Sequence, residues 1–379
     1  MTKNLLYLTG AVLLIFSSIA QGQTVTNPSG TPIPAPTPQR DRIAQPQQTP
    51  PSQTDSGEDD DEVLKVSSNL IVVPVSVTDD KGQSVMNLTT KDFRLAEDSR
   101  QQEISQISNA DQVPLEIAVL VDVSGSLNTL FEFEKQAAAR FLEKIMRPED
   151  RAAIFLISEN PKLIQQRDTV EKSAATIRAV EPAKKFTAFY DTVMEAARYL
   201  KQNAQPRSRR VVLVISDGED NYSDITRNSE IAAYREVSKD LNTMNSKKLA
   251  QVLLLRTEKA HQQAQAAVLR DLQNADTVFY AINPTGDSYK LNRISTRAQN
   301  ALKTLSDETG GTAFLPKNDG TNLEQIFQQI ASELRAQYLL QYYSDANFQT
   351  GKYVKLDVNL ANRANLKVRA RQGYFAKTQ

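Results

Sequence analysis

The sequence predicts an α/β fold in which a doubly wound, mainly parallel sheet is inserted in a small β-sandwich-like domain. Apolar strand segments alternate with amphipathic helical segments over residues 113–336, as in a parallel sheet covered on both faces. β-rich segments with turn signals flank this region, over 63–112 and 337–379. Neither flank has enough strands for a stable sheet, so we expect the two to combine. The alternative is two separate β appendages packed on the centre.

Before these regions, residues 1–22 predict an export signal. Lys3 is followed by an apolar stretch from Leu5 to Ala20, and small residues near Ala20 and Gly22 offer cleavage sites. The stretch is shorter than the ~20 residues of a spanning helix, so we favour cleavage over an uncleaved anchor. No later segment is long enough to span a membrane. The mature chain is therefore expected to be periplasmic or extracellular, without stable membrane insertion.

Residues 23–62 predict a disordered linker rich in Pro, Gln and Thr. The segment has no hydrophobic periodicity, and such a composition cannot bury enough surface to fold. It ends in the acidic run Glu58-Asp59-Asp60-Asp61-Glu62, which lacks the spacing and turn glycine of a calcium loop. We interpret this run as part of a solvated spacer.

The two flanking regions consist of short strands. Pro74 lies within the first strand and indicates a sheet edge or a bulge, because proline cannot donate to a sheet ladder. Residues Val354 to Leu360 alternate between apolar and polar, which indicates one buried face. The predicted strands span 70–78, 93–98, 103–107, 337–343, 353–360 and 366–374.

The central region alternates between the two kinds of element. Predicted strands span 116–121, 152–157, 211–215, 277–282 and 313–315, and predicted helices span 131–146, 188–200, about 295–309 and 323–335. The helix that ends at Thr309 is followed by Gly310, the favoured residue after a helix. About 226–276 forms a mostly helical insertion, interpreted as an extended helix or a hairpin near the ligand-binding edge of the sheet.

Composition excludes several kinds of chemistry. The chain has 379 residues with 45 Lys+Arg and 45 Asp+Glu, and a net charge of zero argues against nucleic acid as the main partner. The absence of cysteine excludes disulfides, thiolate metal sites and cysteine nucleophiles. Imidazole chemistry rests on His261 alone, which lies among Gln and Ala and is expected at the surface.

Oxygen-bearing side chains follow the predicted strands at one edge of the sheet. The first central strand ends in Asp122-Val123-Ser124-Gly125-Ser126, the strand over 211–215 is followed by Asp217, and Thr187 precedes a helix. Ligands of such sheets bind beyond the carboxyl ends of the strands. Two carboxylates and three hydroxyls suit a hard cation, Mg²⁺ or Mn²⁺, and leave one position for a ligand carboxylate.

These residues resemble the metal-ion-dependent adhesion site of the von Willebrand factor type A family, over roughly 114–335. Asp122, Ser124 and Ser126 match the Asp-x-Ser-x-Ser motif, Asp217 matches the second Asp, and Thr187 matches the Thr. Lys185-Phe186 stands where many members carry Gly-Gly. The segments 75–79, 91–93 and 368–374 are similar to those of exported acidobacterial-type proteins with a related domain.

The resemblance implies roles for these residues. Ser124, Ser126 and Thr187 would touch the metal, Asp122 and Asp217 would act directly or through water, and a partner's Asp or Glu would complete the coordination. Asp191 is expected to orient its loop, and Glu219 and Asp220 to be solvated rim residues. The alternative is that the aspartates cap helices and the serines are turn residues.

Two classes of function follow. The first is an exported, non-enzymatic, metal-dependent module that binds a protein carboxylate for adhesion or scaffolding, with no catalytic residue. The second is a hydrolase that uses the metal to activate water, and against it the sequence offers no general base beyond the site carboxylates. A structural envelope protein with a merely stabilising metal is a third possibility.

Overall fold

The computed structural model describes residues 69–124, 129–183, 186–238, 245–284, 292–316, 323–344, 346, 348–361 and 365–376. The predicted signal (1–22), the linker (23–62) and Ser126 lie outside the described residues. The described residues belong to the unit Leu64–Gln379. None of their helices is long and apolar enough to cross a membrane.

Strands and helices occur in three blocks along the described chain. The first block is all β, with β1 (Asn69–Thr78), β2 (Phe93–Glu97), β3 (Arg100–Gln102) and β4 (Gln106–Asn109). The last block is also all β, with β11 (Tyr338–Ser344), β12 (Tyr353–Leu360), β13 (Lys367–Ala370) and β14 (Gly373–Phe375). The central block contains β5 (Leu115–Asp122), α1 (Thr129–Ile145), β6 (Arg151–Ile157), β7 (Lys162–Asp168), α2 (Val170–Arg178), α3 (Phe189–Asn203), β8 (Arg209–Ile215), α4 (Asp224–Ser238), α5 (Ser246–Asn274), β9 (Thr277–Ile282), α6 (Arg293–Thr309), β10 (Ala313–Phe314) and α7 (Leu323–Arg335).

The central strands form one sheet in the order β10-β9-β8-β5-β6-β7. All neighbouring pairs are parallel except β6 and β7, so β7 is an antiparallel edge strand that the sequence analysis missed. The chain winds outward from β5 through β6 to β7, then crosses to β8 on the other side of β5. The order therefore reverses between β5 and β8, and this is where sheets of this kind bind ligands.

Helices cover both faces of the central sheet. On one face α1, α2 and α7 pack against alternate residues of the strands, with Phe141, Leu142 and Ile330 in the core. On the other face α3, α5 and α6 pack against the remaining strand residues, with Phe189 and Leu302 in the core. Because β5 is buried on both sides, its residues 117–121 form an uninterrupted apolar run rather than an alternating one.

The flanking strands form two four-stranded sheets, β13-β1-β11-β4 and β14-β12-β2-β3. Each sheet mixes strands from before and after the central region, and β1 pairs with β11 in a register that joins Asn69 to Ser344. Their facing side chains form a separate core that includes Val75, Phe93 and Leu340. The predicted fold class, a doubly wound α/β sheet inserted in a small β-sandwich, is confirmed.

The expectation for Pro74 is wrong. β1 is an inner strand between β13 and β11, and Pro74 pairs with Leu339 of β11. Proline is tolerated there because β13 pairs with β1 only from Val75 to Thr78. The missing N–H of Pro74 therefore costs no ladder hydrogen bond to β13.

The predicted insertion contains α4 and α5. The amino-terminal half of α5 has no buried residue, whereas Ala264, Val268 and Leu272 of its second half pack on the central sheet. His261 lies on this packed half, only 4% exposed, beside the ring of Tyr190. The expectation of a surface histidine is wrong, and burial lowers the pKa of His261 to about 4.

Candidate metal site

The carboxyl ends of β5 and β8 lie side by side at the point where the strand order reverses. The two strands are parallel, with Val121 opposite Ile215, so Asp122 at the end of β5 lies beside Ser216. Asp217 follows one residue later. The sheet thus places the two predicted carboxylates on neighbouring loops at its ligand-binding edge.

The Asp122 carboxylate is held from both neighbouring loops. The backbone N–H of Ser124 donates to Oδ1 of Asp122 at 2.9 Å. The Ser216 hydroxyl donates to Oδ2 at 2.7 Å and itself accepts the Gly218 N–H at 3.0 Å. Each carboxylate oxygen retains acceptor capacity for a metal or water. Ser216 is therefore a positioning residue that the sequence analysis missed, and its place next to the strand end is the signal that could have found it.

Asp217 lies in a tight loop whose shape depends on Gly218. The φ of Gly218 is +78°, and a Cβ there would lie 2.8 Å from Cγ of Leu302 in α6. The Asp217 carboxylate accepts the Glu219 N–H at 2.9 Å. Burial, together with the charges of Asp122 and Glu219, raises the pKa of Asp217 to about 6. The site thus carries negative charge that is costly without a cation.

Thr187 is held on the same edge by hydrogen bonds to two loops. Its N–H donates to Oδ1 of Asn221 at 2.8 Å, and its carbonyl accepts the N–H groups of Asn221 and Tyr222 at 3.0 and 3.1 Å. The next residue, Ala188, donates its N–H to the carbonyl of Ser158 beyond β6 at 2.8 Å. Thr187 is therefore only 4% exposed and bonded to the loop that carries Asp217.

The structure thus gathers Asp122, Ser124, Thr187 and Asp217 on three loops at one sheet edge. Among the described residues, neither the Ser124 hydroxyl nor the Thr187 hydroxyl has a hydrogen-bond partner. Within the described part of the chain, no arginine, lysine or histidine charge lowers the pKa of Asp217. Two carboxylates and free hydroxyls are the donors that Mg²⁺ or Mn²⁺ takes, so the residues present fit such an ion.

The donor set is poor in carboxylates. In the described part of the chain, no three His, Asp or Glu side chains converge as a metal-holding group. Among the described side chains, a cation here would therefore depend on hydroxyl as well as carboxylate ligands.

Glu134 of α1 is a half-buried acid near this edge that sequence reasoning missed. Burial and the charge of Asp122 raise the pKa of Glu134 to about 7. Its position on a helix that follows the Asp-x-Ser loop is the only sequence signal for it. Glu134 increases the negative charge that surrounds Asp122.

The other acidic residues of these loops have structural partners. Asp191 accepts the Asp224 N–H, which ties α3 to α4, as expected for a residue that orients its loop. Glu219 accepts the Ser295 hydroxyl of α6 at 2.8 Å. The expectation of a solvated Asp220 is wrong, because Asp220 is buried and accepts hydrogen bonds from the hydroxyls of Ser223 and Thr226.

Comparison with known proteins supports the nature of the central region. Residues 117–219, which run from within β5 to the loop that carries Asp217, match the sequence profile of the von Willebrand factor type A domain. None of the curated proteins matches the chain. The assignment of the domain rests on this match.

Several solved structures are similar to this chain at low identity. The conserved hypothetical protein BatB from Bacteroides thetaiotaomicron is 12% identical with a TM-score of 0.36, over 58% of this chain and 98% of that one. The vWF domain of the type V pili tip protein Mfa5 from Porphyromonas gingivalis is 14% identical with a TM-score of 0.37, over 57% and 95%. Proximal thread matrix protein 1 from the mussel byssus, with a zinc-occupied MIDAS motif, is 13% identical with a TM-score of 0.38, over 62% and 48%.

Proposed function

We propose, from the premise that this chain carries a von Willebrand factor type A domain, that the domain is an exported, metal-dependent protein-binding module. Asp122, Ser124, Ser126, Thr187 and Asp217 would hold Mg²⁺ or Mn²⁺ and bind a partner protein through an Asp or Glu carboxylate. Adhesion or scaffolding, rather than catalysis, would be its role. Export to the periplasm or the medium is proposed from the amino-terminal sequence.

One observation carries this proposal. Two half-buried carboxylates stand at the point where the strand order reverses, without a cationic partner among the described residues and with unpartnered hydroxyls beside them. Charge that is partly removed from water is normally paired or binds a metal. The alternative that Asp122 and Asp217 only cap helices leaves this uncompensated charge unexplained.

Some of these residues would bind the cation, and others position the binding residues. Ser124, Ser126 and Thr187 would contact the metal, while Asp122 and Asp217 would act directly or through water. Ser216 and Asn221 hold Asp122 and Thr187 in place. When bound, the metal supplies a positive charge with an exchangeable coordination position, which is what a partner carboxylate requires.

The competing function is a metal that only stabilises the fold, and an open coordination position distinguishes the two. We would load the mature protein with Mn²⁺ and add ¹³C-labelled acetate as a minimal carboxylate probe. The proposal predicts a ¹³C hyperfine coupling on the protein-bound Mn²⁺. Bound Mn²⁺ without this coupling would indicate a closed, structural site and contradict the adhesion role.

The matched control is Asp217→Asn, which removes one charge from the site without changing its size. This variant is expected to lose both the bound Mn²⁺ spectrum and the acetate coupling. If Asp217→Asn retained them, the acetate coupling would come from Mn²⁺ bound elsewhere on the chain.

A further inference from the structure

Three side chains that contact one another border the proposed metal site. The rings of Phe186 and Tyr222 are stacked, with centroids 5.1 Å apart and planes inclined by 9°. The guanidinium of Arg227 lies 4.6 Å from the centroid of the Tyr222 ring. We refer to Phe186, Tyr222 and Arg227 as the aromatic platform.

Hydrogen bonds fix the platform to the metal-site loops. The N–H of Tyr222 donates to the carbonyl of Thr187 at 3.1 Å, and the N–H of Arg227 donates to the carbonyl of Ser223 at 2.9 Å. Arg227 is also paired with Asp224. The platform is therefore held in place by backbone contacts and does not depend on side-chain stacking alone.

Phe186 is the most exposed residue of the aromatic platform. It is 56% exposed although it is a large apolar residue. Single exposed apolar residues are common on protein surfaces and need no explanation by themselves. Phe186 differs because its ring is held in a fixed stack and its neighbour in the chain is a proposed metal ligand.

The platform lies beside the proposed metal site because Phe186 and Thr187 are adjacent in one loop. Consecutive Cα atoms are about 3.8 Å apart. An extended peptide advances ~3.3 Å per residue, so three residues span ~10 Å. Residues within three positions of a carboxylate that reaches the metal are therefore within reach of Phe186.

The chemistry of the platform favours an apolar partner group. Phe186 offers an uncharged ring face, and such faces gain from the burial of apolar side chains. Arg227 already occupies the position of a cation against the Tyr222 ring. The exposed Phe186 ring and the proposed metal would form one surface, which is ionic at the metal and apolar at the ring.

We propose that the aromatic platform binds an apolar side chain located one to three residues from the acidic residue that reaches the metal. The partner is then a protein segment of acidic–apolar sequence. This inference rests on the proposed function, since it takes the metal-bound carboxylate as its anchor. It assigns to Phe186 a role in choosing the partner, beyond metal binding itself.

The test uses a displayed library of seven-residue peptides with a fixed central Asp and random flanks. Mature wild-type protein is used to select binders in Mg²⁺, and each binder is measured again in EDTA. We expect Mg²⁺-dependent binders enriched in apolar residues within three positions of the Asp. For these peptides Phe186→Ser is expected to weaken binding about tenfold, and Phe186→Tyr less than twofold.

Two controls separate this inference from the proposed function. Tyr343→Ser removes a similarly exposed aromatic residue from β11 in the β-sandwich and is expected to bind as wild type does. Asp217→Asn is expected to lose every Mg²⁺-dependent binder. Phe186→Ser should keep the Mg²⁺ affinity of the wild type, which shows that its metal site is intact.

Each outcome decides the inference. Binders without apolar enrichment, or equal binding by Phe186→Ser, would overturn the role of the platform and leave the metal-dependent function standing. No Mg²⁺-dependent binder at all would overturn both. A Mg²⁺-dependent dimer of the wild type that is lost in Phe186→Ser would make a second copy of this chain the occupant and overturn the acidic–apolar peptide.

Discussion

The acidic side chains at the two ends of the central sheet differ in their partners. At the carboxyl end, Asp122 and Asp217 face neighbouring acids, and no cation among the described residues compensates Asp217. At the amino end, acids are matched with arginines: Glu333 of α7 lies 2.7 Å from Arg369 of β13, and Asp276 lies 2.7 Å from Arg371.

The amino-end pairs join the α/β region to the β-sandwich. Arg369 lies in β13, and Arg371 is the residue after that strand. Their partners Glu333 and Asp276 belong to the central region. Charge at this end therefore fastens two parts of the fold, whereas the acids Asp122 and Asp217 at the other end have no cationic partner among the described residues. The predictions below change one end at a time.

The largest effect is expected from breaking a buried pair at the amino end. Arg369→Met leaves the fully buried Glu333 carboxylate without its ionic partner, and we expect the free energy of unfolding to fall by about 3 kcal/mol. Denaturant unfolding measures this directly. The control is Arg140→Met, whose exposed pair with Glu324 should cost less than about 1 kcal/mol. An equal decrease in the free energy of unfolding of the two variants would show that the Glu333–Arg369 pair does not stabilise the contact between the central region and the β-sandwich.

The opposite sign is expected at the carboxyl end. Asp217→Asn should raise the free energy of unfolding of the metal-free protein by roughly 1–2 kcal/mol at about pH 8. The substitution removes a half-buried negative charge that Asp122 and Glu219 repel. The folded state raises the pKa of Asp217, so the penalty is absent below about pH 4 and grows as pH rises through about 6. The gain should therefore disappear in acid. Asp80→Asn, in an exposed turn, is the matched control. A lower free energy of unfolding for Asp217→Asn would contradict an unfavourable charge at this position.

Metal affinity is expected to depend on pH for the same reason. With a pKa of about 6, Asp217 is protonated at about pH 5 and must lose the proton to bind a cation. We expect the Mg²⁺ affinity to fall about tenfold between about pH 7.5 and pH 5. Isothermal titration at the two pH values measures the change. A constant affinity would mean that Asp217 takes no part in binding.

The smallest effect is expected from a residue that only positions a ligand. Asn221→Ala removes the acceptor of the Thr187 N–H, and we expect Mg²⁺ affinity to fall about fivefold, the value of one hydrogen bond near 1 kcal/mol. The control is Asn203→Ala at the end of α3, which caps a carbonyl far from the site along the helix. Loss of binding in both variants would point to general destabilisation instead.

Much of the fold was predictable because the central strands are long apolar runs. β5 and β8 were identifiable from such runs, and the Asp-x-Ser loop and Asp217 follow from their ends. The antiparallel strand β7 was not, because its sequence Lys-Leu-Ile-Gln-Gln-Arg-Asp is mostly polar at a sheet edge. Pro74 predicted an edge strand, but β1 is an inner strand. Its neighbour β13 is shorter than β1 and does not extend as far as Pro74.

The strand ends predicted where Asp122 and Asp217 lie, but the residues that hold the loops in place were not predictable. Ser216, Asn221 and Glu134 act through contacts between loops and helices that are distant in sequence. The burial of Asp220 and His261 depends on α3, α4 and α5 packing together, which local composition does not reveal. Ser126 matches the motif but lies outside the described residues, and its role stays a prediction.

The most direct test is a calorimetric titration of Mg²⁺ and Mn²⁺ into the mature protein, beside Asp122→Ala and Ser124→Ala. Acetate in the cell supplies the carboxylate that a partner would provide. We predict saturable binding of one equivalent to the wild type, lost in both variants while circular dichroism shows an intact fold. Binding that both variants retain, or none in the wild type even with acetate, would contradict a cation site between β5 and β8.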